Sequence, residues 1–194
     1  MKRKLIYDNG FFRGLLHVIA KAFLRMTGWT VIGEAPNDKK YVVIAGPHTS
    51  NWDFPLFIAV AGYLKLRPSF LGKDSLFKGL HGRFFYYMGG IPVYREGPEA
   101  ADIVDQAIRA FADNDELILG IAPEGTRSKV EKLKSGFYRI AEGAGVPIHM
   151  AYLDSEKKEI GFGPRYVPSG DMAKDMEEIY QFYKSKPGVK PRGD

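Results

Sequence analysis

The sequence predicts an α/β fold: a single domain with a largely parallel central sheet flanked by helices, preceded by an N-terminal amphipathic helix. Three observations lead there. Short apolar runs, such as Tyr41-Val42-Val43-Ile44-Ala45 and Leu117-Ile118-Leu119, alternate with longer stretches of helical period. That alternation marks strands buried on both faces and joined by helical crossovers. The length, 194 residues, suits one domain with one good core.

The elements follow in order. Residues 10–27 read as a helix, because Phe12, Leu15, Leu16, Ile19, Ala22, Phe23 and Met26 recur at helical spacing. Arg13, His17, Lys21 and Arg25 make a second stripe, and Lys2, Arg3 and Lys4 precede it. A basic amphipathic helix with aromatic residues on its apolar face suits an interfacial membrane anchor; packing on the domain's own core explains the pattern equally well. Strands are expected at 41–45, 69–71, 91–94, 116–121, 146–152 and 159–162, and helices near 54–65, 76–88, 98–113, 134–143 and 171–185. Gly145 and Pro147 bracket the start of the fifth strand. The division is thus residues 1–30 as the basic helix, 31–185 as the main domain, and 186–194 as a loose tail holding Pro and Gly. Its closing Arg192-Gly193-Asp194 is a chance tripeptide.

Composition narrows the chemistry. Hydrophobic content of 45% and charged content of 26% are ordinary for a globular chain. The absence of cysteine excludes disulfides, thiolate catalysis and Cys-based zinc sites, and fits a reducing compartment. A net charge of +5 suggests an anionic partner: nucleic acid, membrane surface or phosphorylated substrate. No signal peptide is evident. The uncharged stretch 54–64 is well short of the roughly 20 apolar residues that span a bilayer. The expected location is therefore cytoplasmic, peripheral on the cytoplasmic face of a membrane.

Chemistry concentrates at strand ends. Gly46-Pro47-His48-Thr49-Ser50-Asn51-Trp52-Asp53 directly follows the apolar run 41–45, and the carboxyl ends of strands in open α/β sheets are where ligands bind. Five residues is the wrong separation for neighbours on one helix. His48 and Asp53 meet only if the histidine sits on the strand-end loop and folds back to the first helical turn. An imidazole oriented by a carboxylate is how a general base is built. The plainer alternative is a capped helix N-terminus with an incidental histidine.

A second cluster, Pro123-Glu124-Gly125-Thr126-Arg127-Ser128, follows the apolar strand ending at Ile121. Gly125 permits close backbone approach, Thr126 and Ser128 offer hydroxyls, loop N–H groups can form an anion nest, and Arg127 supplies a fork matched to phosphate. An ordinary loop with a Glu124–Arg127 ion pair is the alternative. A third, Gly89-Gly90-Ile91-Pro92-Val93-Tyr94-Arg95, delivers Arg95 to a strand end. Lys73 adds a further cation from another strand end or is simply solvated surface. One base with two arginines suits a phosphorylated substrate whose hydroxyl must lose a proton.

These residues resemble the glycerolipid acyltransferase family, typified by 1-acyl-glycerol-3-phosphate acyltransferase. His48 to Asp53 is similar to its H-x4-D block, and residues 90–95 to its second block. Pro123-Glu124-Gly125-Thr126-Arg127-Ser128 matches its third, and Val146-Pro147-Ile148 is similar to its apolar fourth. All four occur in the family's order. Ala122 and Pro47 depart from it, standing where a large apolar residue and a polar one are usual.

The resemblance implies that His48 is the base and Asp53 its orienting partner, with no acyl-enzyme formed. Arg95 and Arg127 would hold the acceptor phosphate, with Glu124, Gly125, Thr126 and Lys73 around it, and Val146 and Pro147 would lie on the acyl-donor side. The implied partners are a lysophospholipid acceptor, an acyl thioester donor (acyl-CoA or acyl-carrier protein) and an anionic membrane surface. No metal or other cofactor is expected. His149, inside the fourth block, faces core or cleft, a satisfied core histidine being the default.

Rival readings find less. The G-x-S-x-G nucleophile elbow is absent, as are H-E-x-x-H and a Walker loop, and Gly161-Phe162-Gly163 lacks the third glycine of a dinucleotide fingerprint. Nucleic-acid binding has charge alone in its favour, so no nucleic-acid partner is expected. A non-catalytic basic membrane-binding protein is the alternative from a different class.

Overall fold

The computed structural model describes residues 3–46, 53–96, 101–123 and 133–187. In chain order these form α1 (Gly10–Thr27), β1 (Thr30–Ile32), β2 (Lys40–Gly46), α2 (Asp53–Tyr63), β3 (Pro68–Lys73), α3 (Gly79–Tyr87), β4 (Gly90–Val93), α4 (Ile103–Asp113), β5 (Leu117–Ile121), α5 (Gly136–Ala144), β6 (Ile148–Asp154), β7 (Glu159–Tyr166) and α6 (Met172–Lys184). Two 3-10 turns, Ile6–Asp8 and Asp74–Phe77, precede α1 and α3.

The strands make one seven-stranded sheet in the order β1-β7-β6-β2-β5-β3-β4. Every neighbouring pair is parallel except the β6–β7 hairpin. The expected α/β architecture is therefore present, with a single antiparallel connection. β7 runs past the expected 162 through Gly163 and Pro164, where a register shift opposite His149 and Ala151 accommodates a residue that cannot donate to the ladder.

Side-chain alternation along the strands sorts the helices into two layers. Val42, Ile44, Leu119, Ile148 and Met150 point into one core with Phe111 of α4, Phe137 and Tyr138 of α5, and Ile179 of α6. On the other face, Leu153 and Ile160 pack with Ala20 and Leu24 of α1 and Leu56, Ala59 and Val60 of α2. Leu71 and Ile91 join the first core. The intervening Gly72 and Gly90 face the opposite way, their hydrogens only about a ring's thickness from Phe77. Phe77 in turn packs against Phe85 and Tyr86 of α3. So α1, α2 and α3 share one face of the sheet, and α4, α5 and α6 the other.

The amphipathic stripe of α1 divides in two. Ala20 and Leu24 are buried against α2, and Leu16 and Phe23 are partly covered. Phe11, Phe12, Leu15, Val18, Ile19 and Met26 are exposed, Phe11 at 75% and Met26 at 83%. At 3.6 residues per turn these six lie on one arc of about 120°. His17, expected among the basic stripe, fastens the helix: its Nδ1–H donates to the Tyr63 carbonyl at the end of α2 at 2.8 Å. Among the described residues no helix is long and apolar enough to cross a membrane.

Candidate active site

β2, β5, β3 and β4 are consecutive in the sheet and run in the same direction. Their carboxyl ends therefore form one continuous edge. β2 ends at Gly46, two residues before His48; β5 ends at Ile121, three before Glu124. β3 ends on Lys73 itself, and β4 ends at Val93, two before Arg95. Register places Ile44 beside Ile121 and Lys73 beside Val93.

His48, Glu124, Gly125, Thr126 and Arg127 lie outside the described residues. Asp53 is the first residue of α2, and its side chain likewise lies outside the description. Lys73 and Arg95 are exposed at adjacent strand ends. The chain on either side of the segment holding Glu124 to Arg127 is tied: the Lys134 N–H donates to the Pro123 carbonyl at 2.9 Å. Among the described residues, no three His, Asp or Glu side chains converge as a metal cage.

Val146 and Pro147 are not brought to this edge. They precede β6, so they sit at its amino end, and both are buried. Val146 belongs to the core shared by α4, α5 and α6, and the Pro147 carbonyl accepts from Val42 N–H at 3.0 Å. The seven residues of β6 span about 23 Å at roughly 3.3 Å per residue, which separates them from the strand ends. Their position gives an acyl-donor role no geometric support; it makes them the anchor of the strand's start.

His149 is a satisfied core histidine. Its ring is 6% exposed and stands edge-on to Tyr41 and Phe162, with centroids 4.7 and 6.4 Å away. Its Nε2 lies 2.8 Å from Asp38 Oδ2, and Arg165 grips the same carboxylate through Nε and Nη2. Burial lowers the His149 pKa, outweighing the opposing pull of Asp38. The Arg165 hydrogen bonds hold the Asp38 carboxyl below the usual range despite the cost of desolvation, with His149 adding to the effect. The ring is thus neutral at pH 7 and donates through Nε2–H.

A cavity of about 220 Å³ opens at the far, amino-end edge of the sheet, lined by Arg3, Asp38, Lys39, Lys65, Arg67 and Glu116 among others. Arg67 is engaged there by Glu116 at 2.6 Å and by Asp8 at 2.8 Å. The sheet separates it from the motif-bearing edge.

Two residues that sequence reasoning missed hold the edge in shape. Gln106 of α4 clamps Tyr94, the residue before Arg95: its Oε1 accepts from Tyr94 N–H and its Nε2 donates to the Tyr94 carbonyl, each at 2.9 Å. A second bond from Nε2 reaches the Ala101 carbonyl at 2.8 Å. Tyr183 of α6 places its hydroxyl 2.8 Å from the Ile44 carbonyl and 3.1 Å from that of Ala151. Neither contact has a local sequence signal, because each is made across the fold.

The acyltransferase family model matches residues 28–153, more than half of the chain. Among solved structures, the crystal structure of the 1-acyl-sn-glycerophosphate (LPA) acyltransferase PlsC from Thermotoga maritima is similar, with a TM-score of 0.60 at 19% identity. The match covers 90% of this chain and 77% of that one. At that identity the likeness shows a shared fold. No curated protein matches.

Proposed function

Since the chain belongs to the acyltransferase family, we propose that it moves a fatty acyl group from acyl-CoA or acyl-carrier protein to the hydroxyl of a lysophospholipid, with 1-acyl-glycerol-3-phosphate the leading acceptor and phosphatidate the product. One observation carries this reading: four adjacent parallel strands end at one edge, each leading into a residue or motif suited to phosphate binding or proton transfer.

His48, oriented by Asp53, takes the proton from the acceptor hydroxyl. The oxygen attacks the thioester carbonyl carbon and a tetrahedral intermediate forms. The C–S bond then breaks, the new ester remains, and the sulfur leaves as a thiol with the proton returned by the imidazolium. No acyl-enzyme is involved, and no cofactor beyond the thioester is required. Arg127 and Arg95 hold the acceptor phosphate, aided by Lys73, while Glu124, Gly125 and Thr126 shape its seat; the planar guanidinium fork fits phosphate oxygens better than an ammonium does.

The acceptor's lipid character is supported by the face that carries α1. The exposed arc of α1 lies on the same sheet face as exposed Ile58 of α2 and Phe84 and Tyr86 of α3. Apolar surface of this kind with basic neighbours, here Lys21 and Arg25, favours an anionic membrane surface.

The test is thiol release from acyl-CoA, and from acyl-carrier protein, across a panel of lyso-lipid acceptors. General-base catalysis contributes about 10²- to 10⁴-fold, so His48→Ala should cost at least about 100-fold, and Asp53→Asn nearly as much, in folded protein. Full activity in well-folded His48→Ala ends the proposal. Silence of the wild type across the panel favours a non-catalytic membrane-binding role.

A further inference from the structure

We infer that Tyr183 is a positioning residue for the general base, acting from a helix that lies outside the family-matched segment 28–153. The inference rests on the reading of His48 given above. Helix α6 covers the face of the sheet that holds Ile44 and Met150, and its last full turn reaches the carboxyl ends of β2 and β6. There the Tyr183 ring is 3% exposed, and its one hydroxyl is shared between the carbonyls of Ile44 and Ala151, on two adjacent strands. Ala151 pairs with Ala45 in the β2–β6 register, one pair before Gly46 with Tyr152, so the hydroxyl bridges the two strands just short of the end of β2.

Gly46 completes the fit. A Cβ on it would stand 3.1 Å from Tyr183 Cε1 and 3.3 Å from Cδ1, so the ring lies flush against the final residue of β2. The helix is held in this place at several points. Gly163 leaves room for the Phe182 ring, which would overlap any side chain at that position. Lys186 sits over the rings of Tyr152 and Phe182, 4.3 and 5.5 Å from their centroids. On a side chain only 3% exposed, a hydroxyl bonded to two strand carbonyls acts on the backbone; what it fixes is where the end of β2 points. Two residues further on is His48. A general base works only within hydrogen-bond reach of its proton, and a displacement of about 1 Å can cost 10²-fold in rate.

The experiment is a kcat and KM determination for Tyr183→Phe, which deletes the hydroxyl and keeps the ring, beside Tyr138→Phe as a control. Tyr138 also donates a buried hydroxyl bond, to Asp175 at 2.8 Å, but away from the strand ends. Tyr183→Phe should lower kcat by about 10- to 100-fold with KM for both substrates near wild type and a melting temperature no lower than that of Tyr138→Phe. Tyr138→Phe should leave kcat within about two-fold of wild type. Gly46→Ala, whose methyl group pushes the ring without touching the hydroxyl, should lower kcat in the same way and decides the matter if Tyr183→Phe does not fold. Equal kcat losses in Tyr183→Phe and Tyr138→Phe would reduce Tyr183 to a stability residue and overturn the proposal. An unchanged kcat in Tyr183→Phe, with activity still dependent on His48, overturns this proposal alone; full activity in His48→Ala overturns it together with the reading of the base.

Discussion

Gln106 shows how one side chain can stand in for a missing strand. β4 is the last strand of the sheet, and beyond Val93 its chain leaves the ladder. The Gln106 amide nevertheless satisfies both backbone groups of Tyr94 and ties in Ala101, as a neighbouring strand would. Buried backbone groups left unpaired are costly, while each bond made is worth about 1 kcal/mol net. Replacing Gln106 by leucine removes all three bonds, so a stability loss of roughly 2–3 kcal/mol is expected. The functional consequence is sharper. If Arg95 grips the acceptor phosphate, loosening the residue before it should raise the acceptor KM several-fold while kcat changes little. Steady-state kinetics on Gln106→Leu measure this directly, and an unchanged KM alongside a lowered melting temperature would leave Gln106 as scaffold only.

At the scale of elements, α1 has one apolar face packed against α2 and one exposed, and substitutions should separate their contributions. Replacing Phe11, Val18 and Met26 together by glutamine should leave the melting temperature within about 2 °C, since these side chains bury little; surface changes usually lie within about 0.5 kcal/mol each. The same variant should lose most of its sedimentation with anionic liposomes. Leu24→Ala, on the packed face, should instead cost about 2–5 kcal/mol and leave liposome binding per folded molecule unchanged. Retained sedimentation in the triple variant would place lipid contact elsewhere. The sequence predicts one apolar stripe here because Leu16 and Phe23 fall between the two arcs and blur them. Elsewhere, legibility followed how local the cause was. The buried strands 41–45 and 116–121 and the helix over 171–185 were readable within a residue or two, since apolar runs and caps such as Asp171, which accepts from Lys174 N–H, are local signals. β1 was missed: it is three residues long, between Gly28 and Gly33, and exists because it pairs with β7. The expected helix 76–88 begins at Gly79 because a 3-10 turn over Asp74–Phe77 seats Phe77 above Gly72 and Gly90. For the candidate site, what the structure bears on is the shared strand edge that leads into the motifs, which the apolar runs before them made legible. Gln106 and Tyr183 were not legible, because nothing near them in the chain reveals their partners.

Across the whole molecule, α6 is held at its amino end by a buried charge. Asp175 is 1% exposed and accepts hydrogen bonds from the hydroxyls of Tyr138 in α5 and Tyr166 in β7, and from both the N–H and the hydroxyl of Ser169. Burial alone would raise its pKa; the Ser169 and tyrosine donors more than offset this and hold the carboxyl at about 2 against the usual 3.8. Burial, reinforced by the carboxylate, pushes the Tyr138 hydroxyl up to about 12, so it remains a donor throughout the neutral range. Because the folded pKa lies below the unfolded one, the contribution of Asp175 to stability is fully present above about pH 4. It is lost as pH falls from there towards 2, where the native carboxylate protonates. Asp175→Asn presents an amide to donors that need an acceptor, and should cost about 3 kcal/mol at pH 7, in the range for a broken buried polar network. The informative quantity is the gap in urea midpoint between wild type and Asp175→Asn, followed from pH 7 to pH 2.5. The gap should stay level down to about pH 4 and then narrow; a gap independent of pH would mean that Asp175 is not the charged centre of this cluster.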